Sequence, residues 1–336
     1  MKAMVLEALG LDNLKLKEVP DPRPGPGEVL VRIRAASLNF RDLLVVDGRY
    51  GSRQRSSNLI PLSDGAGDVL EVGPGVRAWK PGDRVVGAFF PDWLSGPPNE
   101  LLMRRDIGGM EDGVACELRV FRADALAAVP SSLSYVEAAT LPCAAVTAWN
   151  AVRTHGNVGP EHAVLTQGSG GVALFALQFA RAAGARVIAT TSTAEKAQRL
   201  STLGARHTIN YRDDPEWGKT VRGICPRGVD LVVETGGAGT LKQSMRAVKN
   251  GGMITLIGVV SGTTAELNLP VASMNSMKLH GIAVGNRDQL QEVLAAMDTN
   301  DIRPVIDRVY PLEALPEALR HLQSGQQFGK VCIEIP

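Results

Sequence analysis

A chain of 336 residues is too long for one ordinary domain and is expected to form two. With 44% hydrophobic and 21% charged residues it has the balance of a soluble globular protein, and its net charge of +1 is not gathered into basic blocks. That distribution excludes an electrostatic footprint for nucleic acid or an anionic membrane. No stretch approaches the roughly 18 uncharged apolar residues that span a bilayer. The first residues, MKAMVLEALGLDNLKLKEVP, carry charges throughout and do not read as a signal peptide. Cys116, Cys143, Cys225 and Cys332 are isolated, without a C-x-x-C pair, which argues against a disulfide framework and fits a reducing cytoplasm.

Up to about residue 122 the chain reads as short strands separated by turn chemistry. Val29–Ile33 follows the run PDPRPGPGE, Asp68–Val72 precedes the turn GPG, and KPGD leads into Arg84–Ala88. Such dense Pro and Gly predict a β-rich, barrel-like unit, with a long loop from Phe90 to Asp112. From Ala123 the character changes. Helix is expected at Ser131–Ala139 and Cys143–Val152, then a strand Ala163–Thr166, a glycine turn and a helix Gly171–Ala183. Strand Arg186–Thr190, helix Glu195–Leu203 and strands Leu231–Glu234, Met253–Ile257 and Leu279–Val284 follow. This alternation predicts an α/β fold with a doubly wound parallel sheet. The domains are accordingly 1–122, completed by 300–336 and the strand Lys330–Ile335, and 123–299.

The turn Gly168-x-Gly170-x-x-Ala173 sits directly between strand and helix. Gly168 permits the tight bend, Gly170 lets the backbone approach a diphosphate, and Ala173 lets helix and strand pack closely. The helix start, through Ser169, Gly170, Gly171 and Val172, offers free N–H groups to phosphate. Dinucleotide sites for NAD place Asp or Glu at the end of the next strand. Here that strand ends Thr190-Thr191-Ser192, with Lys196 and Arg199 on the following helix. Hydroxyls can donate to a 2′-phosphate that an acid would repel, so NADP(H) is the expected cofactor.

The order of parts resembles the medium-chain dehydrogenase/reductase superfamily over nearly the whole chain, a GroES-like β-rich catalytic domain followed by a Rossmann domain. The segments that carry it are PGEVLVRIRAASLNFRDLL, PLSDGAGDVLEVGPGV, KPGDRVVG, LPCAAVTAWNAV, the glycine turn and GIAVGNRDQL. The chain is most similar to the zinc-free quinone oxidoreductase and enoyl reductase branches, and NFRD is like the enoyl reductase modules of polyketide synthases. In zinc enzymes of the superfamily, the ligand positions correspond here to Asn39, Ser63 and Cys143, too few soft ligands for a catalytic zinc. The resemblance implies an active site lined by Asn39 and Tyr50, with Tyr50 as candidate proton donor and Asp42 near the nicotinamide pocket. Asp42 reads equally as a charge in the first turn of a helix. Further cofactor contacts implied by the resemblance are Tyr211, Gly258, Val259, Asn286, Arg287 and Lys330. His155, His162, His207, His280 and His321 show no ligand spacing.

The expected activity is hydride transfer from NADPH to a small quinone or enone, without metal. Two alternatives stay open. One is a 2-enoyl thioester reductase, for which Arg49, Arg53 and Arg55 could hold acyl-CoA phosphates. The other is a nicotinamide-nucleotide-binding protein with little turnover. The strand KLHGIAVG resembles edge strands that pair across a two-fold axis, which implies a homodimer.

Overall fold

The computed structural model describes residues 1–51 and 54–336. The chain divides into two compact units, Met1–Val146 with Val284–Pro336, and Thr147–Ala283. The first begins with an antiparallel ribbon of β1 (Lys2–Leu6) and β2 (Leu14–Glu18). β3 (Glu28–Ser37), β4 (Asp64–Val72), β5 (Arg84–Gly87), β6 (Leu118–Arg122) and β7 (Leu126–Ala128) build its main sheet. Val29, Val31, Ile33, Val69, Val85 and Leu126 fill the core by the strand period of two. Gly67 is demanded by the β3–β4 crossing, because a Cβ there would lie 1.9 Å from the Arg32 carbonyl oxygen. Helix α1 (Phe40–Val46) leaves the end of β3, and α2 (Tyr135–Ala138) is capped by Ser134 rather than Ser131.

The stretch read as one helix from Cys143 is less regular. Wide π turns at Leu141–Ala145 and Asn150–His155 flank the short α3 (Val146–Trp149). The second unit then alternates strand and helix: β8 (Ala163–Gln167), α4 (Gly171–Ala182), β9 (Arg186–Thr191), α5 (Ala194–Thr202), β10 (His207–Asn210) and α6 (Trp217–Ile224). β11 (Val229–Glu234), α7 (Ala238–Ala247), β12 (Val248–Leu256), α8 (Leu269–Met274) and β13 (Lys278–Gly281) complete it. The strands are all parallel, in the order β10-β9-β8-β11-β12-β13. All of β8 is buried, as expected of a strand covered on both faces. The chain winds one way from β8 and then the other, so a topological switch point falls between β8 and β11. Open α/β sheets bind ligands outside the carboxyl ends of the strands at such a point.

The tail returns as α9 (Arg287–Thr299), β14 (Ile306–Pro311), α10 (Leu315–Gln323) and β15 (Lys330–Glu334), and β15 pairs antiparallel with β3. The unit borders at 146 and 284 differ from the sequence borders near 122 and 299. β7 pairs with β5, α2 packs on β3 and β4, and α9 packs on β7, so these elements join the first unit. Hydrophobic periodicity marks α9 as a helix but does not say which core receives it. Among the described residues no helix is long and apolar enough to cross a membrane.

Candidate active site and nucleotide turn

In the second unit, Gly168 takes the left-handed conformation (φ 78°) and its N–H bonds the Thr190 carbonyl at 2.8 Å. Gly170 caps α4, while Gly171 and Val172 begin its first turn, where backbone donors lack helical partners. A Cβ at Gly168 or Gly170 would meet nothing within 4 Å, so the space beyond the bend is open. Ala173 is buried where helix meets strand, and Ser169 is buried beside it. This turn fits a dinucleotide diphosphate. Thr191 closes β9, Ser192 follows, and the Thr193 hydroxyl caps α5 by accepting the Lys196 N–H at 3.2 Å. The Tyr211 N–H reaches the Thr191 carbonyl at 2.9 Å, which brings Tyr211 to the same strand end. Gly258 and Val259 follow β12, with the Gly258 N–H on the Glu234 carbonyl at 3.2 Å.

The remaining expected cofactor residues lie in the first unit. Asn286 caps α9, and its Nδ2 donates to the Gly96 carbonyl at 3.2 Å. The Arg287 N–H donates to the Trp93 carbonyl and its guanidinium meets Asp288, both at 3.0 Å. Lys330 is 3% exposed, and its ammonium donates to the Leu38 carbonyl and to Asn39 Oδ1, each at 2.6 Å.

That contact ties Lys330 into a buried polar cluster. Asn39 caps α1, and its Nδ2 donates to Asp64 Oδ2 at 3.0 Å. An ammonium can only donate, so Oδ1 must face Lys330 and Nδ2 must face Asp64, and the amide has one defined orientation. Asp64 also accepts from the Ser63 hydroxyl at 2.6 Å and from the Cys143 N–H at 3.2 Å, and lies 4.0 Å from Lys330. Asp42, in the first turn of α1, accepts the Asn39 N–H at 2.6 Å as in a capping box. Arg41 is buried and pairs with Asp106, while its guanidinium lies 4.3 Å from the centre of the Tyr50 ring and 4.8 Å from that of Phe89.

Burial pushes the Asp42 carboxyl up to about 6, against the pull of Arg41 3.8 Å away. Burial also raises the Tyr50 hydroxyl, with Arg41 opposing, and raises the Cys143 thiol well above its usual range. Tyr50 and Cys143 therefore keep their protons at neutral pH. Three members of this cluster escape sequence reading: Asp64, Arg41 and its partner Asp106. Asp64 directly follows Ser63 and Arg41 stands inside NFRD, so their neighbours were the available signal. Asp106 lies in an irregular loop with no pattern to mark it.

The positions that hold zinc in related enzymes do come together here, around Asp64, but as an amide, a hydroxyl and a protonated thiol. Zinc binds thiolate, imidazole or carboxylate, and an ammonium already lies in this cluster, so the donor set does not suit zinc. Among the described residues no group of three or more His, Cys, Asp or Glu is placed to hold a metal.

Residues 25–131 match the alcohol dehydrogenase GroES-like domain family and residues 171–299 the zinc-binding dehydrogenase family. A zinc-type alcohol dehydrogenase-like protein of Schizosaccharomyces pombe is 41% identical, covering 98% of this chain and 97% of its own. The acryloyl-coenzyme A reductase of Metallosphaera sedula is 30% identical, with 99% of both chains covered. The quinone oxidoreductase structure from Coxiella burnetii superposes with a TM-score of 0.82 at 26% identity, covering 100% of this chain and 99% of its own. A two-unit oxidoreductase with a Rossmann nucleotide-binding domain is thus the class that fold and sequence define. The chain belongs to the medium-chain dehydrogenase/reductase superfamily.

Proposed function

We propose that this protein is a zinc-free, NADPH-dependent reductase of quinones or of the activated C=C bond of α,β-unsaturated carbonyls. The observation that carries the reading is the oriented Asn39 amide, held between a buried ammonium and a buried carboxylate where zinc relatives place a metal ligand. NADPH, when bound, supplies the hydride, and the turn from Gly168 to Val172 with Thr191, Ser192, Lys196 and Tyr211 would hold it. The absence of an acid at the end of β9 supports NADPH over NADH.

Hydride arriving at carbon leaves negative charge on the carbonyl oxygen, and a fixed donor aimed there lowers the barrier. Asp64 takes one hydrogen of the Asn39 amide, and the other is the donor for that oxygen. The ammonium at Oδ1 polarises the amide and strengthens this N–H. Tyr50, kept protonated by burial, is the candidate source of the proton that completes the saturated product. Asp42 acts here by fixing the backbone of Asn39.

The acryloyl-coenzyme A reductase relative favours a second reading, an enoyl thioester as substrate. Of the cations suggested for CoA phosphates, Arg49 pairs with Asp47 at 2.9 Å and Arg55 with Asp112 at 2.8 Å. Arg53 lies outside the described residues. Arginines already matched to carboxylates are poorer phosphate sites, which supports the smaller enone or quinone. Four unpaired cysteines fit a reducing cytoplasm, and the near-neutral charge fits a small-molecule partner rather than nucleic acid or membrane.

NADPH binding by fluorescence, followed by 9,10-phenanthrenequinone or crotonyl-CoA, tests the assignment. NADPH oxidation with the quinone is expected. Tight binding without turnover of either acceptor would favour a nucleotide-binding protein instead. Asn39→Ala should lower kcat about 100-fold, as loss of one oxyanion donor does, with NADPH affinity changed less than about twofold. Equal damage to both would make Asn39 structural.

A homodimer is part of the same proposal. β13 is an edge strand of the six-stranded sheet, and Leu269 and Met274 on the neighbouring α8 are 67% and 84% exposed. Light scattering at micromolar protein should give twice the chain mass, and a monomer would reject it.

A further inference from the structure

At the switch point the adjacent strands β8 and β11 end in Gln167 and Glu234, both buried. Gln167 Nε2 donates to Glu234 Oε2 at 2.9 Å and to the Ser244 hydroxyl oxygen at 2.7 Å. Gln167 Oε1 accepts the N–H groups of Thr235 and Gly236, each at 3.3 Å. Glu234 Oε1 accepts from the Gly236 N–H at 2.8 Å, the Gly237 N–H at 3.0 Å and the Thr240 hydroxyl at 2.5 Å. Its Oε2 also accepts from the Ser244 hydroxyl. A fully buried carboxylate is costly unless such bonds saturate it, and here its partners are all neutral donors. Hydride chemistry gives this group no task.

Its position does. Gln167 immediately precedes Gly168, the first residue of the dinucleotide turn. On the other side, the Glu234 carbonyl accepts the N–H groups of Ile257 at 3.0 Å and Gly258 at 3.2 Å. The Gly236 carbonyl accepts the Ser261 N–H at 2.7 Å and the Ser261 hydroxyl at 2.8 Å. One hydrogen-bonded chain therefore runs from the phosphate turn, through 235–237, to the loop 257–262.

We propose that Glu234 is a positioning residue that locks the dinucleotide turn to the loop 257–262, so that diphosphate bound at Gly168–Gly171 orders both segments together. This rests on the nucleotide-binding reading of the turn. In Glu234→Gln, if the new Oε1 keeps Gly236, Gly237 and Thr240, its NH2 faces the NH2 of Gln167. Turning Gln167 over would instead aim its NH2 at the N–H groups of Thr235 and Gly236. Donor meets donor either way. The double variant Gln167→Glu/Glu234→Gln reverses the polarity of the pair and provides a partner for every donor, with Ser244 reversing its own bonds.

The probe is 2′-phospho-ADP-ribose, which carries the diphosphate but no nicotinamide, read by titration calorimetry and amide hydrogen exchange. In the wild type it should slow exchange at 169–172 and also at 258–262, the loop whose expected partner is the nicotinamide that the probe lacks. Glu234→Gln should weaken its binding about tenfold and abolish the slowing at 258–262. The double variant should restore both, with affinity within about threefold of wild type. Slowing confined to 169–172, or a double variant as weak as the single one, overturns the proposal. Should the single variant fail to fold, the wild-type exchange pattern and the double variant still decide. A wild type that takes up neither the probe nor NADPH nor NADH would sink the nucleotide reading itself, and this inference with it.

Discussion

Replacing Lys330 with methionine is expected to lower kcat about 100-fold and folding stability by about 3 kcal/mol, while NADPH affinity changes less than about twofold. Methionine nearly matches the length of the lysine stem and fills its buried channel, so the change removes the charge more than the packing. The Leu38 carbonyl and Asn39 Oδ1 then lose the donor that each meets at 2.6 Å. Asp64, fully buried, loses the cation 4.0 Å away, and removing one partner of a buried ion pair strands the other charge. Catalysis suffers because the Asn39 amide is no longer forced into one orientation, and its N–H is no longer strengthened from the carbonyl side. Urea unfolding and steady-state NADPH oxidation measure the two effects. A fall in NADPH affinity larger than the fall in kcat would return Lys330 to the cofactor-contacting role its superfamily position suggests.

What sequence reveals about this molecule follows contact range. The glycine turn is legible because strand, bend and helix are contiguous, and each glycine has a local reason to be there. Asn39 and Asp42 are picked out through the superfamily motif NFRD, and the bond that joins them spans only three residues. The partners that give those groups their chemistry are distant. Lys330 meets Asn39 across 291 residues, Arg41 meets Asp106 across 65, and Gln167 meets Glu234 across 67. Lys330 reaches the cluster because β15 pairs with β3 in the register Cys332 opposite Ser37, and that register is invisible in the period of either strand. Helix α9 shows the same limit at larger scale, since its apolar stripe fits a core without specifying which one. The π turns around α3 are a third case, because a helical hydrophobic pattern does not distinguish an i+4 from an i+5 ladder.

Asp42→Asn is expected to gain stability relative to the wild type as pH rises from about 3 to about 7, by about 3 kcal/mol in all. The carboxyl is 0% exposed, and among the described residues its Oδ1 has no hydrogen-bond partner. Burial is the dominant influence and raises its pKa from 3.8 to about 6, although Arg41, the Asn39 N–H and Lys330 all favour the charged form. Below about pH 3 the carboxyl is largely protonated in both folded and unfolded chains, and it adds little pH dependence. Between about 4 and about 6 the unfolded chain has released this proton while the folded one still holds it. The folded state then binds more protons, so stability falls as pH rises, and above about 6 the full cost of a buried anion is felt. Asparagine keeps the acceptor for the Asn39 N–H but cannot ionise, so it escapes that cost. Urea unfolding of both proteins at each pH unit isolates Asp42, because the other titrating groups cancel in the difference. A pH-independent gap would mean that Asp42 ionises alike in both states. A gap that moves against the variant would mean that Arg41 outweighs burial and holds Asp42 as a carboxylate in the acid range.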